Sequence, residues 1–486
     1  MLTLTPLWRL VCLLPLLAAC ASAPPDDAPA RIDETLQASG LNTDAAAHDS
    51  LQGEIELDQA LWRALTHHPR ARREYQRLDI THAEIVAASE WQNPTLSFSW
   101  LRAEGGGHES GFGLAQNLSA LLMRPAQRRM ASARYESEQQ RAVAALHQLV
   151  ADTESAWFAL VAAEQSLAVQ TLVTRAATLS AELGQRFREA GNISGLTLAQ
   201  LQSEAAHARL ALLAAERERA QRRAELAALL DAPDDDWSVP TALPLPPREL
   251  PPAEVLMSRA LETRPDLRAL DNDEAWLTEN VELVNRYRWL GEVSVGVRHE
   301  RETDGTRLTG PTLSFGLPLF HRNQGALRSA RAQRDQWQLT REQYRQAALH
   351  DVRRLHDVLA ILGSEISLRE EALLPAKADV VARRQERVNF MFDGVFDLLA
   401  AKQDELYAWQ EQVQALGDYW QLHARLVLAT GGERFDIDAL SRLDTSVLEH
   451  DAEAAAHEHH EHDEHDEHDE HDEHEHHRHH HHGGHH

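Results

Sequence analysis

Cysteine is almost absent from this sequence, which has 486 residues and only two cysteines, Cys12 and Cys20. Both lie near the amino terminus, so the rest of the chain has no thiol for a disulfide bond or for cysteine-based chemistry. Beyond this terminus the chain also lacks the roughly 18 to 20 continuous apolar residues that a membrane-spanning helix needs. If the protein crosses a bilayer, we expect it to do so with strands.

Positive charge is scarce as well. The net charge of −28 argues against nucleic acid as a partner, which requires basic patches. Fourteen of the 76 acidic residues lie between Glu449 and Glu475, so about half of the excess belongs to the C-terminal tail. No nucleophile elbow, P-loop or paired-carboxylate arrangement is present, so we find no catalytic candidate and do not expect an enzyme.

The first 19 residues are predicted to be a lipoprotein signal peptide. Arg9 precedes an apolar stretch at 10–17, and the Leu-Ala-Ala-Cys that ends at Cys20 resembles the bacterial lipobox. That resemblance implies lipidation of Cys20 and sorting to the outer membrane, because Ala21 is not the Asp of an inner-membrane retention signal. An ordinary secretory signal peptide is the alternative.

The body of the chain is predicted to be an internal duplication. Residues 64–69 return 196 positions later as residues 260–265, and in each copy a proline ends one predicted helix and starts the next. Six parts follow, which are the signal peptide 1–19, a lipidated flexible tether 20–52, a first repeat 53–230, a Pro-rich connector 231–252, a second repeat 253–432 and a C-terminal segment 433–486.

Each repeat carries one predicted turn between two long helical segments, at residues 191–200 and 391–403. The residues that reverse a helix recur at matching places in both turns. The alignment pairs Gly191 with Met391, Ser194 with Gly394 and Thr197 with Asp397.

One strand hairpin is predicted in each repeat. Apolar residues alternate with small or polar ones at 95–101 and 112–118, and again at 293–298 and 312–319. Strands of about ten residues with one apolar face suit a transmembrane barrel. A soluble sheet with one buried face is the alternative. Four strands are too few to close a barrel, so the membrane interpretation requires several copies of the chain.

Two very long helices are predicted after the hairpins, and each spans about 100 Å at 1.5 Å per residue. Leucines at steps of three and four indicate coiled-coil packing, while Gly363 and Pro375 predict curvature in the second helix. Shorter returning helices are expected to stack end to end with the short helices that precede the strands. The predicted long helices are 124–190 and 325–392, the returning helices 197–230 and 397–430, and the short helices 71–91 and 266–289.

The tail is rich in histidine: 17 of the 29 histidines lie at or beyond His450. Imidazoles beside carboxylates suit Zn²⁺, Co²⁺, Ni²⁺ or Cu²⁺, and the low complexity predicts a disordered, multivalent metal buffer. A solvated acidic tail with incidental histidine and an engineered tag are the alternatives. The predicted ligands are His457, His459, His460, His462, His465, His468, His471, His474, His476 and His477.

Taken together, these features resemble the outer-membrane factor family that includes TolC. Residues 317–325 and 394–403 look like the strand-to-helix junction and the hairpin tip of its metal-efflux, CzcC-like branch. The first repeat departs from that pattern at 124–128. The resemblance implies a mainly α fold with a small membrane β-hairpin in each copy, internally duplicated, whose long coiled-coil helical hairpins form an α-barrel below a trimeric β-barrel.

The same resemblance implies a homotrimer in the outer membrane that extends into the periplasm and needs no cofactor. Its partners would be a periplasmic adaptor, or membrane fusion protein, and an inner-membrane RND pump. Asp397 matches a position where the family can place a carboxylate ring at the pore gate, and Thr197 is its counterpart in the first repeat. A helix N-terminal cap is the competing interpretation of Asp397.

Three functions are compatible with the sequence. The first is a lipid-anchored outer-membrane channel of a tripartite system that exports divalent heavy-metal cations. The second is a TolC-like duct for organic compounds or secreted protein. The third is a periplasmic lipoprotein that sequesters metal and forms no pore.

Overall fold

The structure, a computed structural model, describes residues 51–102, 104–232, 236–320, 322–432 and 441–443. The predicted signal peptide, the lipidation site Cys20 and all but the last two residues of the tether lie outside these residues. So do the ten predicted metal ligands of the tail. What the sequence predicts for the signal peptide, Cys20, the tether and the tail therefore stays a prediction.

The first repeat runs from two short helices through a hairpin into a long helical hairpin. Its elements are β1 (Gly53–Glu54), α1 (Leu57–His67), α2 (Pro69–Ser89), β2 (Thr95–Arg102), β3 (His108–Asn117), α3 (Leu118–Glu189) and α4 (Gly195–Leu230).

The second repeat has the same order of elements, as the duplication predicts. It comprises β4 (Trp237–Ser238), α5 (Ala253–Thr263), α6 (Pro265–Tyr287), β5 (Val293–Arg301), β6 (Arg307–Phe315), α7 (Gln324–Leu368), a π-helical turn (Arg369–Leu373), α8 (Leu374–Asn389) and α9 (Val395–Ala429).

Proline sets the same helix boundary in both repeats. Pro69 and Pro265 each occupy the first position of a helix. Proline is favoured there because its missing N–H has no partner in the first turn and its φ angle is already helical. Each repeat therefore begins with two helices that meet at a corner, as predicted.

The first long helix begins earlier than predicted, at Leu118 rather than Arg124, and includes Pro125. The side chain of Asn117 caps it by accepting a hydrogen bond from the backbone N–H of Ala120 at 3.1 Å. Because this cap satisfies the free donor, the helix starts directly at the end of β3. With 72 residues, α3 is about 110 Å long.

The second long helix is interrupted at one of the two predicted places. The π-helical turn ends two residues before Pro375, whose ring would otherwise collide with the carbonyl of Glu371. Gln412 of α9 donates to the carbonyl of Ile366 just ahead of the turn, at 3.4 Å. Gly363 does not interrupt α7, and the curvature predicted there stays a prediction.

Each returning helix ends beside the corner between the two short helices of its repeat, while the expected end-to-end stacking on α2 and α6 stays a prediction. Arg63 of α1 donates to the carbonyl of Leu230, the last residue of α4, at 3.3 Å. In the second repeat Arg264, between α5 and α6, donates to the carbonyl of Ala429 at 3.4 Å. Each arginine satisfies a carbonyl that a helix end leaves open.

The main hydrophobic core lies midway along the long helices. The rings of Phe158 on α3 and Trp420 on α9 stack with their centroids 5.1 Å apart, and both are almost fully buried. The two helices approach closely, since a Cβ on Gly417 would lie 2.8 Å from the Cβ of Ala162. The leucines at steps of three and four face this core, which confirms the coiled-coil prediction.

The connector and the C-terminal segment are fastened to this core. The fully buried Gln165 accepts from the N–H of Leu243 at 3.3 Å and donates to the carbonyl of Leu443 at 3.2 Å. Leu443 and Leu243 also share a backbone hydrogen bond of 2.8 Å. Trp420 donates to the carbonyl of Pro244 at 2.7 Å. We call this set of bonds the mid-height clamp.

Two predicted boundaries need correction. Leu51, assigned to the tether, is 4 % exposed and packs in the core, and β1 next to it pairs in parallel with β4. Leu443, beyond the predicted end of the body at Gly432, is 6 % exposed. Neither short segment has a periodic pattern, so their burial depends on surfaces contributed by distant parts of the chain.

Among the described residues, one helix is apolar enough by length and composition to cross a membrane. A stretch of α3 reaches a mean hydropathy of 1.3, but 56 % of it is buried within the chain. Its apolar character is accounted for by the core between α3, α4 and α9.

We predict that Gln165→Leu loosens the mid-height clamp. The substitution leaves the Leu243 N–H and the Leu443 carbonyl without their side-chain partner, at a cost of about 1–3 kcal/mol. Hydrogen exchange should become faster at residues 243–245 and 441–443 while the β5–β6 hairpin stays protected. The exposed Gln200→Leu is the control and should change neither region; unchanged exchange in Gln165→Leu would contradict the assignment.

Candidate functional site: an open-edged sheet and two helical tips

A four-stranded antiparallel sheet joins the two repeats in the order β2-β3-β5-β6. The central strands, β3 and β5, connect the two repeats of the chain. Leu114 of β3 lies opposite Val297 of β5. Both predicted hairpins are confirmed. The last strand ends at Phe315, so Leu317 and Leu319 lie beyond it rather than on its apolar face.

One face of the sheet is apolar and exposed. Residues directly opposite each other in antiparallel strands share a face, and Leu96, Leu114 and Val297 form one such row. Nine large apolar side chains of this face are each at least 41 % exposed in the single chain. These residues are Leu96, Phe98, Trp100, Phe112, Leu114, Val295, Val297, Leu313 and Phe315.

The opposite face carries mainly small and polar residues, apart from Leu101 and Leu308, which are 60 % and 48 % exposed. Thr95, Ala115, Gly296 and Thr312 form one row across all four strands. A Cβ on Gly296 would lie 2.4 Å from the carbonyl oxygen of Leu114, so only glycine fits where β5 approaches β3. The arrangement is inverted relative to a soluble sheet packed on a core, because none of the described segments covers the apolar face.

Both outer strands of the sheet are open. β2 pairs only with β3, and β6 only with β5, so within the described part of the chain each has one unpaired edge. An apolar environment cannot satisfy the N–H and carbonyl groups on such edges. The sheet is therefore incomplete as a single copy.

The two helical tips have the predicted correspondence. Gly191 and Met391, which the alignment pairs, both have a left-handed backbone, with φ of 79° and 59°. Both turns then re-enter a helix through an N-terminal cap. Glycine adopts this conformation at little cost, whereas methionine is strained by about 1–2 kcal/mol.

Thr197 and Asp397 occupy equivalent positions, three residues after the cap. The carboxylate of Asp397 accepts from the N–H of Gly394 at 3.2 Å. In the first tip, Ser194 accepts from the N–H of Thr197 at 3.1 Å, and the two hydroxyls are 2.9 Å apart. The capping interpretation of Asp397 is therefore present in the structure. Its gate role depends on neighbouring copies and stays a prediction, as does that of Thr197.

The second tip contains an ion-pair cluster that the sequence analysis missed. Arg387 binds Asp393 through two hydrogen bonds of 2.8 Å, and Arg384 adds one of 2.6 Å. The Asp393 side chain is only 9 % exposed. Hydrogen bonds from Arg387 and Arg384, with their positive charge, lower the pKa of this carboxyl to about 2. The signal was an acid six residues after an arginine across a predicted turn.

The first tip has no counterpart of this cluster. Ile193 and Phe187 stand where Asp393 and Arg387 stand in the second tip. Phe187 instead contacts Phe396 of the second tip, with ring centroids 5.5 Å apart. One tip is thus held by charge and the other by apolar packing, and the two lie side by side.

The described residues hold no group of three or more His, Cys, Asp or Glu side chains arranged to bind a metal ion. The predicted metal ligands of the tail and the lipidation site Cys20 fall outside those residues.

Comparison with known proteins agrees with this geometry. Residues 256–432 match the family described as "Outer membrane efflux protein". Protein CyaE of Bordetella pertussis is 27 % identical over 421 residues, which cover 78 % of this chain and 84 % of that protein.

Two solved structures show the same architecture. CusC, whose structures concern folding and transmembrane channel formation, has a TM-score of 0.65 at 17 % identity and covers 79 % of this chain and 94 % of its own. The Campylobacter jejuni CmeC outer membrane channel has a TM-score of 0.64 at 15 % identity, with 79 % and 87 % covered.

The chain has the fold of a TolC-like outer membrane channel, with long helical hairpins below a membrane sheet. Within that class, residues 256–432, most of the second repeat, are similar to the outer membrane efflux protein family.

We predict that the Asp393 cluster stabilises the second tip in a pH-dependent way. Because the folded pKa is depressed to about 2, its contribution is present above the unfolded value of about 3.9 and is lost as pH falls toward 2. Asp393→Asn should therefore lower the melting temperature above about pH 4, and the difference from the parent should shrink toward pH 2. Asp379→Asn, an exposed carboxylate paired along its own helix, should show a smaller difference. A difference for Asp393→Asn that does not change with pH would contradict the prediction.

Proposed function

We propose that this chain forms the outer membrane channel of a tripartite, RND-type efflux system that exports divalent heavy-metal cations. The observation that carries the proposal is the open-edged sheet fused to helices about 110 Å long. The protein would act as a channel and not as an enzyme.

Closure of the sheet supports a homotrimer. Three copies of four strands give twelve, which is enough for a barrel with an open lumen. β6 of one copy would pair with β2 of the next, so that no edge remains. The apolar face, with Phe98 60 % exposed, would then meet lipid, and the row that contains Gly296 would line the lumen.

The helices supply the second part of the conduit. Long helices that continue from the barrel would form a tunnel with its tips in the periplasm, where the family resemblance implies a membrane fusion protein and an inner-membrane pump. Lipidation of Cys20, if it occurs as the lipobox resemblance implies, would add an anchor in the same membrane.

The histidine-rich tail supports a metal-cation cargo. The mid-height clamp holds Leu443, which precedes the tail, beside the middle of the long helices. Gln165 lies 24 residues before Glu189, which is about 36 Å of helix from the tip. His457 follows Leu443 by 14 residues, and such a chain spans at most about 50 Å. The histidines can therefore reach the periplasmic mouth of the tunnel, where they would concentrate Zn²⁺, Co²⁺, Ni²⁺ or Cu²⁺.

Asp397 supports the same cargo. It is exposed at the tip, and in a trimer three such carboxylates would converge near the axis, where they favour cations. Thr197 from each copy would complete the ring. The cap contact with Gly394 leaves the second carboxylate oxygen available for this role.

We predict that the purified mature protein is a detergent-dependent trimer that conducts ions in planar bilayers. Native mass spectrometry should give three times the chain mass, and circular dichroism should retain the strand signal. A detergent-independent monomer would contradict the channel and favour the periplasmic metal-sequestering lipoprotein. The oligomer mass decides even if a closed tip keeps conductance low.

We further predict that tail and gate both affect metal tolerance. In a deletion strain grown on Zn, Co, Cd, Ni and Cu salts, a truncation after Ala456 and Asp397→Asn should each restore less tolerance than the parent. The truncated protein should also lose metal binding measured by calorimetry.

The control for Asp397 is Asp404→Asn, an exposed carboxylate on the same helix, which should restore parental tolerance. Unchanged tolerance with a lower melting temperature in Asp397→Asn would leave only the cap role. Full tolerance after tail removal would favour a duct for organic compounds or secreted protein.

A further inference from the structure

Two tryptophans mark the junction between helices and sheet in both repeats. Trp91 lies between α2 and β2, and Trp289 lies between α6 and β5. Each is 53 % exposed, so the chain does not bury them in its core. The two tryptophans occupy equivalent positions in the two repeats, where a short helix leads into the sheet.

Arginine side chains lie over both rings. The guanidinium of Arg124, from α3, is 5.8 Å from the centroid of Trp91. Arg288 and Arg322, which come from opposite ends of the second hairpin, lie 5.4 Å and 4.8 Å from the centroid of Trp289. Tryptophan is the aromatic ring that attracts a cation most strongly.

These arginines keep donors available. Stacking uses the flat face of a guanidinium and leaves its in-plane N–H groups free to bind an anion. Within the described part of the chain, none of the three forms an ion pair with a carboxylate; the Nε of Arg288, which is buried without a hydrogen-bond partner, is not among the donors that can reach an anion. Arg124 donates one hydrogen bond, to the carbonyl of Ser89.

The junction is basic although the chain is acidic. The four segments 86–94, 118–128, 284–292 and 316–328 contain six arginines and two glutamates, a net of +4, against −28 for the whole chain. The arginines are Arg124, Arg128, Arg286, Arg288, Arg322 and Arg328. We call this group the arginine collar.

Large apolar side chains lie on the sheet side of the collar. Leu122, Leu317 and Phe320 are 57 %, 66 % and 93 % exposed. In a bilayer, apolar side chains face the interior, tryptophan lies at the boundary and arginine reaches the headgroups. The side chains at this junction follow the same order. A soluble anion would use the charges but not the apolar surface beside them.

We propose that the arginine collar binds the phosphate headgroups of anionic phospholipids in the periplasmic leaflet of the membrane. The inference rests on the proposed function, because it requires the sheet to lie in the bilayer and the helices in the periplasm. Arginine suits this role because its paired donors match two phosphate oxygens. A collar around the barrel would set how deeply the sheet sits in the membrane.

The test is lipid selectivity of the full-length trimer in nanodiscs made from phosphatidylcholine with about 30 % phosphatidylglycerol, a fraction chosen so that anionic headgroups outnumber collar sites. Native mass spectrometry would compare bound with bulk lipid for the parent, for R288Q/R322Q and for R301Q/R307Q. The last pair removes two charges at the opposite end of the same sheet, where Arg301 faces Arg307.

We expect the parent to enrich phosphatidylglycerol and R288Q/R322Q to lose about fivefold in affinity for each arginine removed, since a juxtamembrane arginine contributes about that factor. R301Q/R307Q should match the parent. Adding inorganic phosphate should leave the enrichment unchanged, because the site is a lipid surface.

Four results would overturn the proposal: no enrichment in the parent, equal loss in both variants, complete displacement by inorganic phosphate, or dissociation of the R288Q/R322Q trimer with unchanged lipid selectivity. The last would identify the collar as a contact between subunits, for example with Glu90 or Glu292 of a neighbouring copy. Conductance and trimer mass of the parent, measured in parallel, separate failure of this inference from failure of the channel.

Discussion

The constraint on which this structure depends is the hydrogen bonding of two strand edges. A lipid environment offers no partner for the backbone groups of β2 and β6, yet the large side chains of the sheet face outward as if to meet lipid. The two conditions are compatible only when further copies complete the sheet. In the proposed channel, the barrel and its oligomeric state would both follow from these unpaired edges, and the helices that follow each hairpin would share the symmetry of that barrel.

Rigidity is distributed unevenly along the helices. The mid-height clamp fixes the connector, the C-terminal segment and the cores of α3 and α9 to one another through Gln165 and Trp420. Farther down, the second hairpin is interrupted by a π-helical turn before Pro375 and ends in a tip held by Asp393. The described helices therefore have a firm middle and a less regular second arm, an arrangement that would suit the proposed channel if it opens at its tips.

Much of the fold followed from local patterns. Pro69 and Pro265 placed two helix boundaries, the alternation at 95–101 and 293–298 placed two strands, and the alignment of the tips matched Gly191 with Met391, which share a left-handed backbone. These features depend on near neighbours in the chain. The cluster of Asp393 with Arg387, and the burial of Leu51 and Leu443, were not predicted because their partners come from a turn geometry or from distant segments that no periodicity records.

By itself, the sequence determined the duplication, the succession of helices and strands, and the two-sided character of the strands, since each is a matter of residue type at fixed spacing. Only the tertiary structure decided that β3 pairs with β5 across the repeats, that the C-terminal segment returns to mid-height, and that Arg124, Arg288 and Arg322 gather over two tryptophans. Those contacts join residues far apart in the chain, so they stabilise the protein only after folding has brought the two surfaces together.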